Sequence, residues 1–198
     1  LAKTAASLDA ISNGRLELGV GLGWQEEEYE ASGISFDQRA KIFWETLDIC
    51  QSLWKGGPVS HKGEIFEFND IWCHPIPPQG SDIPLLFGVK MTESNAQKIA
   101  KIGHGWIPIK TSRDFISEGS EKLNNAFKEA GRDDKPRIRG QLPTCVDSNG
   151  VPSVDLTLKE LEKSMEAGLE EIEVFPINFA QSPDHLREVL ELIGEIKK

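Results

Sequence analysis

The feature that most constrains this chain is its alternation of helical and extended patterns, which runs from the first residues to the last. Leu1, Ala5 and Leu8 recur at helical spacing and Gly14 stands where a helix stops; residues 15–20 then alternate Leu16, Leu18, Val20 as a strand does. Residues 37–54 follow as an amphipathic helix with Ile42, Phe43, Leu47, Cys50, Leu53 and Trp54 on one stripe, closed by Gly56, Gly57 and Pro58. Residues 61–70 read as a hairpin turning at Gly63, and a proline-rich connector spans 74–84. Strands are expected at 83–87, 106–109, 137–146 and 172–175. Helices are expected at 93–102, at 115–130, from a capping box at Thr157 to Glu160, and from Ser182-Pro183 onward.

Five strands separated by helices imply a parallel sheet, because parallel neighbours need a crossover long enough to hold a helix. The fold class is therefore α/β, with a doubly wound sheet and a (β/α)8 TIM barrel as the two candidates. A barrel needs eight strands and roughly 250 residues. This chain has 198 residues and opens on a helix without an initiator Met, so it would supply about the last five βα units. It reads as a single domain over 1–198, with residues 57–84 as a hairpin and proline-rich insertion within it.

Charge then narrows the partners. Twenty-two basic against 32 acidic side chains leave a net charge of −10, a field that repels phosphate backbones and anionic membrane surfaces. No apolar run approaches the roughly 18 residues of a membrane span. Cys50, Cys73 and Cys145 form no CxxC pair and His61, His74, His104 and His185 have no metal-binding spacing. Reduced cytoplasmic thiols and no metal site are the expectation.

Three glycine-containing segments carry the chemistry. Gly19-Val20-Gly21-Leu22-Gly23 ends a strand, but a dinucleotide fingerprint would need a third glycine where Trp24 or Glu26 stands. Glu26, Glu27 and Glu28 suit a helix N-terminus and would repel a pyrophosphate. The glycines either let the strand end pack tightly or offer bare backbone to a flat ligand. Gly88-Val89-Lys90-Met91-Thr92-Glu93-Ser94 joins a strand to a helix. It is either an ordinary loop capped by Thr92 or an anion site made of helix N–H groups, the Lys90 ammonium and the hydroxyls of Thr92 and Ser94. Gly103-His104-Gly105-Trp106 opens the next strand, with Lys110 and Thr111 at its far end.

In collinear order these segments resemble the luciferase-like monooxygenase family, barrels of the bacterial-luciferase type, and especially its deazaflavin-dependent branch. Leu1-Ala2-Lys3 through Leu8-Asp9 to Ser12-Asn13-Gly14-Arg15 is similar to the family's entry into its fourth strand. Leu18-Gly19-Val20-Gly21-Leu22-Gly23-Trp24 with Glu27, Glu28 and Tyr29 is similar to that strand's end. Leu53-Trp54, Pro58-Val59-Ser60, Gly63 and Phe66, then Pro75, Pro77, Pro78 and Ile83-Pro84 to Gly88, resemble the insertion and the approach to the fifth strand. Gly103-His104-Gly105-Trp106 resembles the family's next strand entry.

The resemblance implies that about 90 to 100 residues precede Leu1 in a whole barrel. It implies a cofactor, coenzyme F420 (an 8-hydroxy-5-deazaflavin) or FMN, lined by Gly21, Leu22, Gly23 and Trp24. The cofactor's phosphate would meet the backbone of Gly88, Val89, Lys90 and Met91, with Lys110 and Thr111 nearby. The sequence departs from the family at Val89, where a glycine is usual, and at His104, where an aspartate is. At Trp24, where some deazaflavin dehydrogenases have a glutamate acid, no proton role carries over, so the catalytic acid or base is unassigned. The implied function is hydride transfer or monooxygenation of a small organic substrate by an oxidoreductase; the alternative is a non-catalytic flavin-binding protein of the same fold. A cofactor-free barrel lyase or hydrolase would have only Lys110 to argue for it. A homodimer is the expected assembly, with no nucleic-acid or membrane partner.

Overall fold

A computed structural model describes residues 1–180 and 182–195. The chain divides into two compact units, Leu1–Gly88 and Val89–Lys198, a boundary within the span that the sequence pattern treats as one domain.

The first unit opens with α1 (Ala2–Ser12), stopped by Asn13 in the left-handed region (φ 58°) and by Gly14 at φ 75°. Its inward stripe is Ala5, Ala6 and Asp9, whereas Leu1 and Leu8 of the expected stripe stand 56% and 49% exposed. Asp9 is fully buried and accepts three N–H groups: Leu16 N (3.3 Å) and Gln79 Nε2 (2.8 Å) on Oδ1, and Gln79 N (3.0 Å) on Oδ2. Those bonds satisfy the buried charge and tie α1 to the proline-rich connector.

Strand β1 (Leu18–Gly21) pairs in parallel with β4 (Leu85–Gly88), with Leu18 opposite Leu85 and Gly21 opposite Gly88. Leu85, Leu86 and Phe87 are all buried, the continuous apolar run of a parallel strand covered on both faces. Between these strands come α2 (Glu26–Ala31), α3 (Arg39–Trp54) and the antiparallel hairpin of β2 (Val59–Lys62) and β3 (Glu67–Ile71). The three acids of the glycine-rich segment open α2, where the helix dipole favours them. Helix α3 buries Leu47, Cys50, Leu53 and Trp54; the Trp54 indole donates to Ala2 O (3.0 Å) and Trp44 stacks on Phe87.

Helix α3 also holds the hairpin. The Glu45 carboxylate accepts Phe66 N (2.8 Å) and Ile65 N (3.1 Å) and meets His61 Nε2 at 3.0 Å. A side chain at Gly63 would collide with that carboxylate, which is why the turn carries glycine. The His74–Pro75 peptide of the connector is cis.

The second unit comprises α4 (Glu93–Ile102), β5 (Gly105–Trp106), α5 (Arg113–Glu129), β6 (Arg137–Gln141), α6 (Val154–Glu166), β7 (Glu171–Glu173) and α7 (Pro183–Glu195). β5, β6 and β7 pair in parallel, Gly105 opposite Arg137 and Arg139 opposite Glu171. All three strands are shorter than the sequence suggests. Pro108, Pro143 and Pro176 each follow a strand end by two or three residues, and proline cannot donate to a ladder. One face of β6 and β7 joins Arg137 and Arg139 to Glu171, while Ile138 and Gly140 are buried on the other. The fully buried Trp106 lies against Gly119 of α5, where a side chain would overlap its ring.

Helix α6 begins three residues before the expected capping box. Ser153 is the cap, its hydroxyl accepting Leu156 N (3.3 Å), and Thr157 is buried with Oγ1 accepting Cys145 N (2.9 Å). The spacing of Thr157 and Glu160 mimics a cap, but the threonine serves the loop after β6. Ser182 does act as expected, accepting His185 N (3.1 Å) at the start of α7. No helix among the described residues is long and apolar enough to cross a membrane.

Candidate functional site

The expected site residues fall into two groups, one in each unit. In the first unit β1 ends at Gly21, which lines an open cleft of about 490 Å³ with Val20, Ile42, Phe43 and Leu47. A Cβ at Gly21 would stand 3.1 Å from the carbonyl oxygen of Gly88, so the close pairing of β1 and β4 accounts for this glycine. Gly23 has φ 71° and packs under the Tyr29 ring. The Tyr29 hydroxyl donates to Leu22 O, fixing residues 22–24 as a turn into α2. Trp24 projects outward, 81% exposed, and neither it nor Leu22 or Gly23 lines the cleft.

In the second unit a cleft of about 580 Å³ gathers Lys90, Met91, Thr92, Lys110 and Lys122. The loop entering it is held from three sides. The Trp106 indole donates to Val89 O (2.8 Å), Asn95 Nδ2 donates to Lys90 O (2.9 Å), and the Thr92 hydroxyl caps α4 by accepting Asn95 N (3.2 Å). Thr92 is thus both the cap and part of the cleft wall, so the two sequence readings of this loop are compatible. The Glu93 and Ser94 N–H groups at the first turn of α4 have no protein partner among the described residues. Val89 and Met91 are 3% and 6% exposed, their side chains turned into the core.

Lys110 rests over the Phe115 ring at 5.7 Å. Thr111, although expected beside it, is not part of the cleft wall. Sequence reasoning missed Lys122 and Glu118, one turn apart on α5 and joined by a 2.5 Å ion pair. The hydrogen bond and charge of Lys122, with a smaller contribution from Lys90, hold the Glu118 carboxyl below its usual range; the same bond raises Lys122. Only the i,i+4 spacing of that pair was visible beforehand, and it says nothing of which cleft the pair faces. With Lys90, Lys110 and Lys122 against Glu93 and Glu118, the cleft is locally positive in a chain of net charge −10.

Comparison with known proteins adds the ancestry. A family model described as luciferase-like monooxygenase matches residues 1–151. The chain belongs to the luciferase-like monooxygenase family. An uncharacterized protein of Mycobacterium tuberculosis is 37% identical over 139 residues, 70% of this chain and 48% of its own length. The chain thus spans about half the length of the curated relatives it matches first. A coenzyme F420-dependent tetrahydromethanopterin reductase from Methanopyrus kandleri superposes with a TM-score of 0.71 at 17% identity, over 95% of this chain and 75% of that one. The oxygenating constituent of 3,6-diketocamphane monooxygenase from Pseudomonas putida, solved with FMN, gives 0.60 at 21% identity, over 74% and 44%. These likenesses show the fold: the parallel βα units are those of the luciferase-like TIM barrel.

Proposed function

We propose that this protein is an oxidoreductase that binds a flavin-type cofactor, coenzyme F420 or FMN, and acts by hydride transfer or monooxygenation on a small organic substrate. The observation that carries the reading is the lysine cleft of the second unit. Its donor set suits a phosphate: two helix N–H groups without a protein partner, the Lys90 and Lys110 ammonium groups and the Thr92 hydroxyl. Val89 does not obstruct this fit, because its side chain is buried in the core.

Bound, either cofactor would supply the electron transfer, which no amino-acid side chain provides. The chain's own residues hold and orient. Gly88 to Met91 present backbone, Trp106 and Asn95 keep that loop in one shape, and Lys90 and Lys110 neutralise the anionic end.

The test is a fluorescence titration with F420 and with FMN in parallel, on the wild type and on Lys90→Met and Lys110→Met. Saturable binding of F420 alone argues for hydride transfer, and of FMN alone for an oxygen-using enzyme. Either lysine substitution should weaken binding about tenfold. Binding of neither cofactor by the folded protein would sink the reading.

A further inference from the structure

The lysine cleft also holds the means to tell one anion from another. Given the anion-binding role assigned to that cleft above, we propose that Glu118 sets its selectivity, favouring a singly charged phosphodiester over a doubly charged phosphate monoester. Every charged side chain of the cleft wall comes from residues 90–122 of the second unit: Lys90, Lys110 and Lys122 against Glu93 and Glu118.

Lys122 and Glu118 stand one turn apart on α5, Nζ donating to Oε1 at 2.5 Å, with the lysine side chain 30% exposed and the glutamate 69%. That bond occupies the Lys122 ammonium, and a charge-assisted pair opposes its transfer to an incoming anion. Among the described residues neither Lys90 nor Lys110 has a carboxylate within ion-pair distance, so those two ammonium groups are the ones available. The Lys90 charge reaches Glu118 and the Glu93 charge reaches Lys122, so the four groups act on a common space.

Glu118 is ionised at neutral pH, its carboxyl held below the ordinary range by Lys122. Its repulsion of a bound anion grows in proportion to the anion's charge, so the logarithm of the affinity lost by a dianion is twice that lost by a monoanion. Water around the exposed carboxylate moderates both losses and leaves their proportion. Glu93 has the same sign but sits in the first turn of α4, where the helix dipole offsets it. Of the two cofactors, FMN ends in a phosphate monoester and F420 carries a phosphodiester, so this filter favours F420.

The experiment is calorimetric titration of the full chain, without cofactor, by dimethyl phosphate and by methyl phosphate at about pH 8, where the monoester is a dianion. Wild type should bind the diester at least as tightly as the monoester. Glu118→Gln, a change at an exposed side chain, should tighten the monoester about tenfold and the diester about threefold. Lys122→Met, which leaves Glu118 without its cation, should shift the ratio the opposite way, further toward the diester. Glu129→Gln, at the far end of α5, should leave the ratio unchanged. A wild type that prefers the monoester, a ratio unmoved by Glu118→Gln or by Lys122→Met, or an equal shift in Glu129→Gln would each overturn the proposal. Lys90→Met reads the anion site itself: if it weakens both probes while Glu118→Gln leaves their ratio alone, the anion site stands and the selectivity falls. Binding of neither probe removes both.

Discussion

Asp9 is the residue on which the first unit turns. Its carboxylate is buried and its three N–H donors come from positions 16 and 79, so removing it orphans all three. Asp9→Ala should lower unfolding free energy by about 2–4 kcal/mol, the cost of unsatisfied buried donors, read from urea denaturation. A loss under about 1 kcal/mol would mean that water replaces the carboxylate. The cysteines differ among themselves by the same logic of burial. Cys50 is 2% exposed and burial pushes its thiol up to about 11, whereas Cys145 is half-exposed. A thiol reagent at neutral pH should therefore label Cys145 first, and Cys50 only on unfolding; simultaneous labelling followed by mass spectrometry would contradict this.

At the scale of elements, one side chain gathers the hairpin turn and another caps α6. Burial raises the Glu45 carboxyl, but the N–H groups of Phe66 and Ile65 and the His61 ring outweigh it and leave it below its ordinary value of 4.5. A carboxyl depressed on folding adds stability that is complete above that ordinary value and is lost as pH falls through the folded one. Amide protection factors in residues 59–71, taken relative to the intrinsic exchange rate at each pH, should accordingly fall below about pH 4.5. Glu45→Gln should abolish that pH dependence; an unchanged profile would show the hairpin held by other contacts. For α6, Ser153→Ala should cost about 1 kcal/mol. Such caps are only partly legible in advance. Thr92 and Ser182 sit directly before a helical pattern and were readable, while Thr157 has the same local spacing and a different partner, a backbone N–H twelve residues away.

For the whole molecule, the net charge of −10 sets a self-repulsion that salt relieves. Raising ionic strength from about 0.01 M to about 0.15 M should raise Tm, with the lysine cleft losing anion affinity over the same range. A falling Tm would show the surface ion pairs outweighing the net charge. The order of helices and strands, the α/β class and the family were written in the sequence, because apolar periodicity and glycine or proline punctuation are local properties. Lys90 and Lys110 were readable as candidates because each follows a strand in a glycine-marked segment. Lys122 and Glu118 were not. Their roles depend on which cleft a helix face meets, a product of packing. The same reason explains α1, where the fold buries Asp9 beside Ala5, since only a folded chain brings Gln79 to satisfy it. Sequence alone determined which segments become helix or strand and which family they came from; tertiary structure decided which charges are paired, which are buried, and which are left facing a cavity.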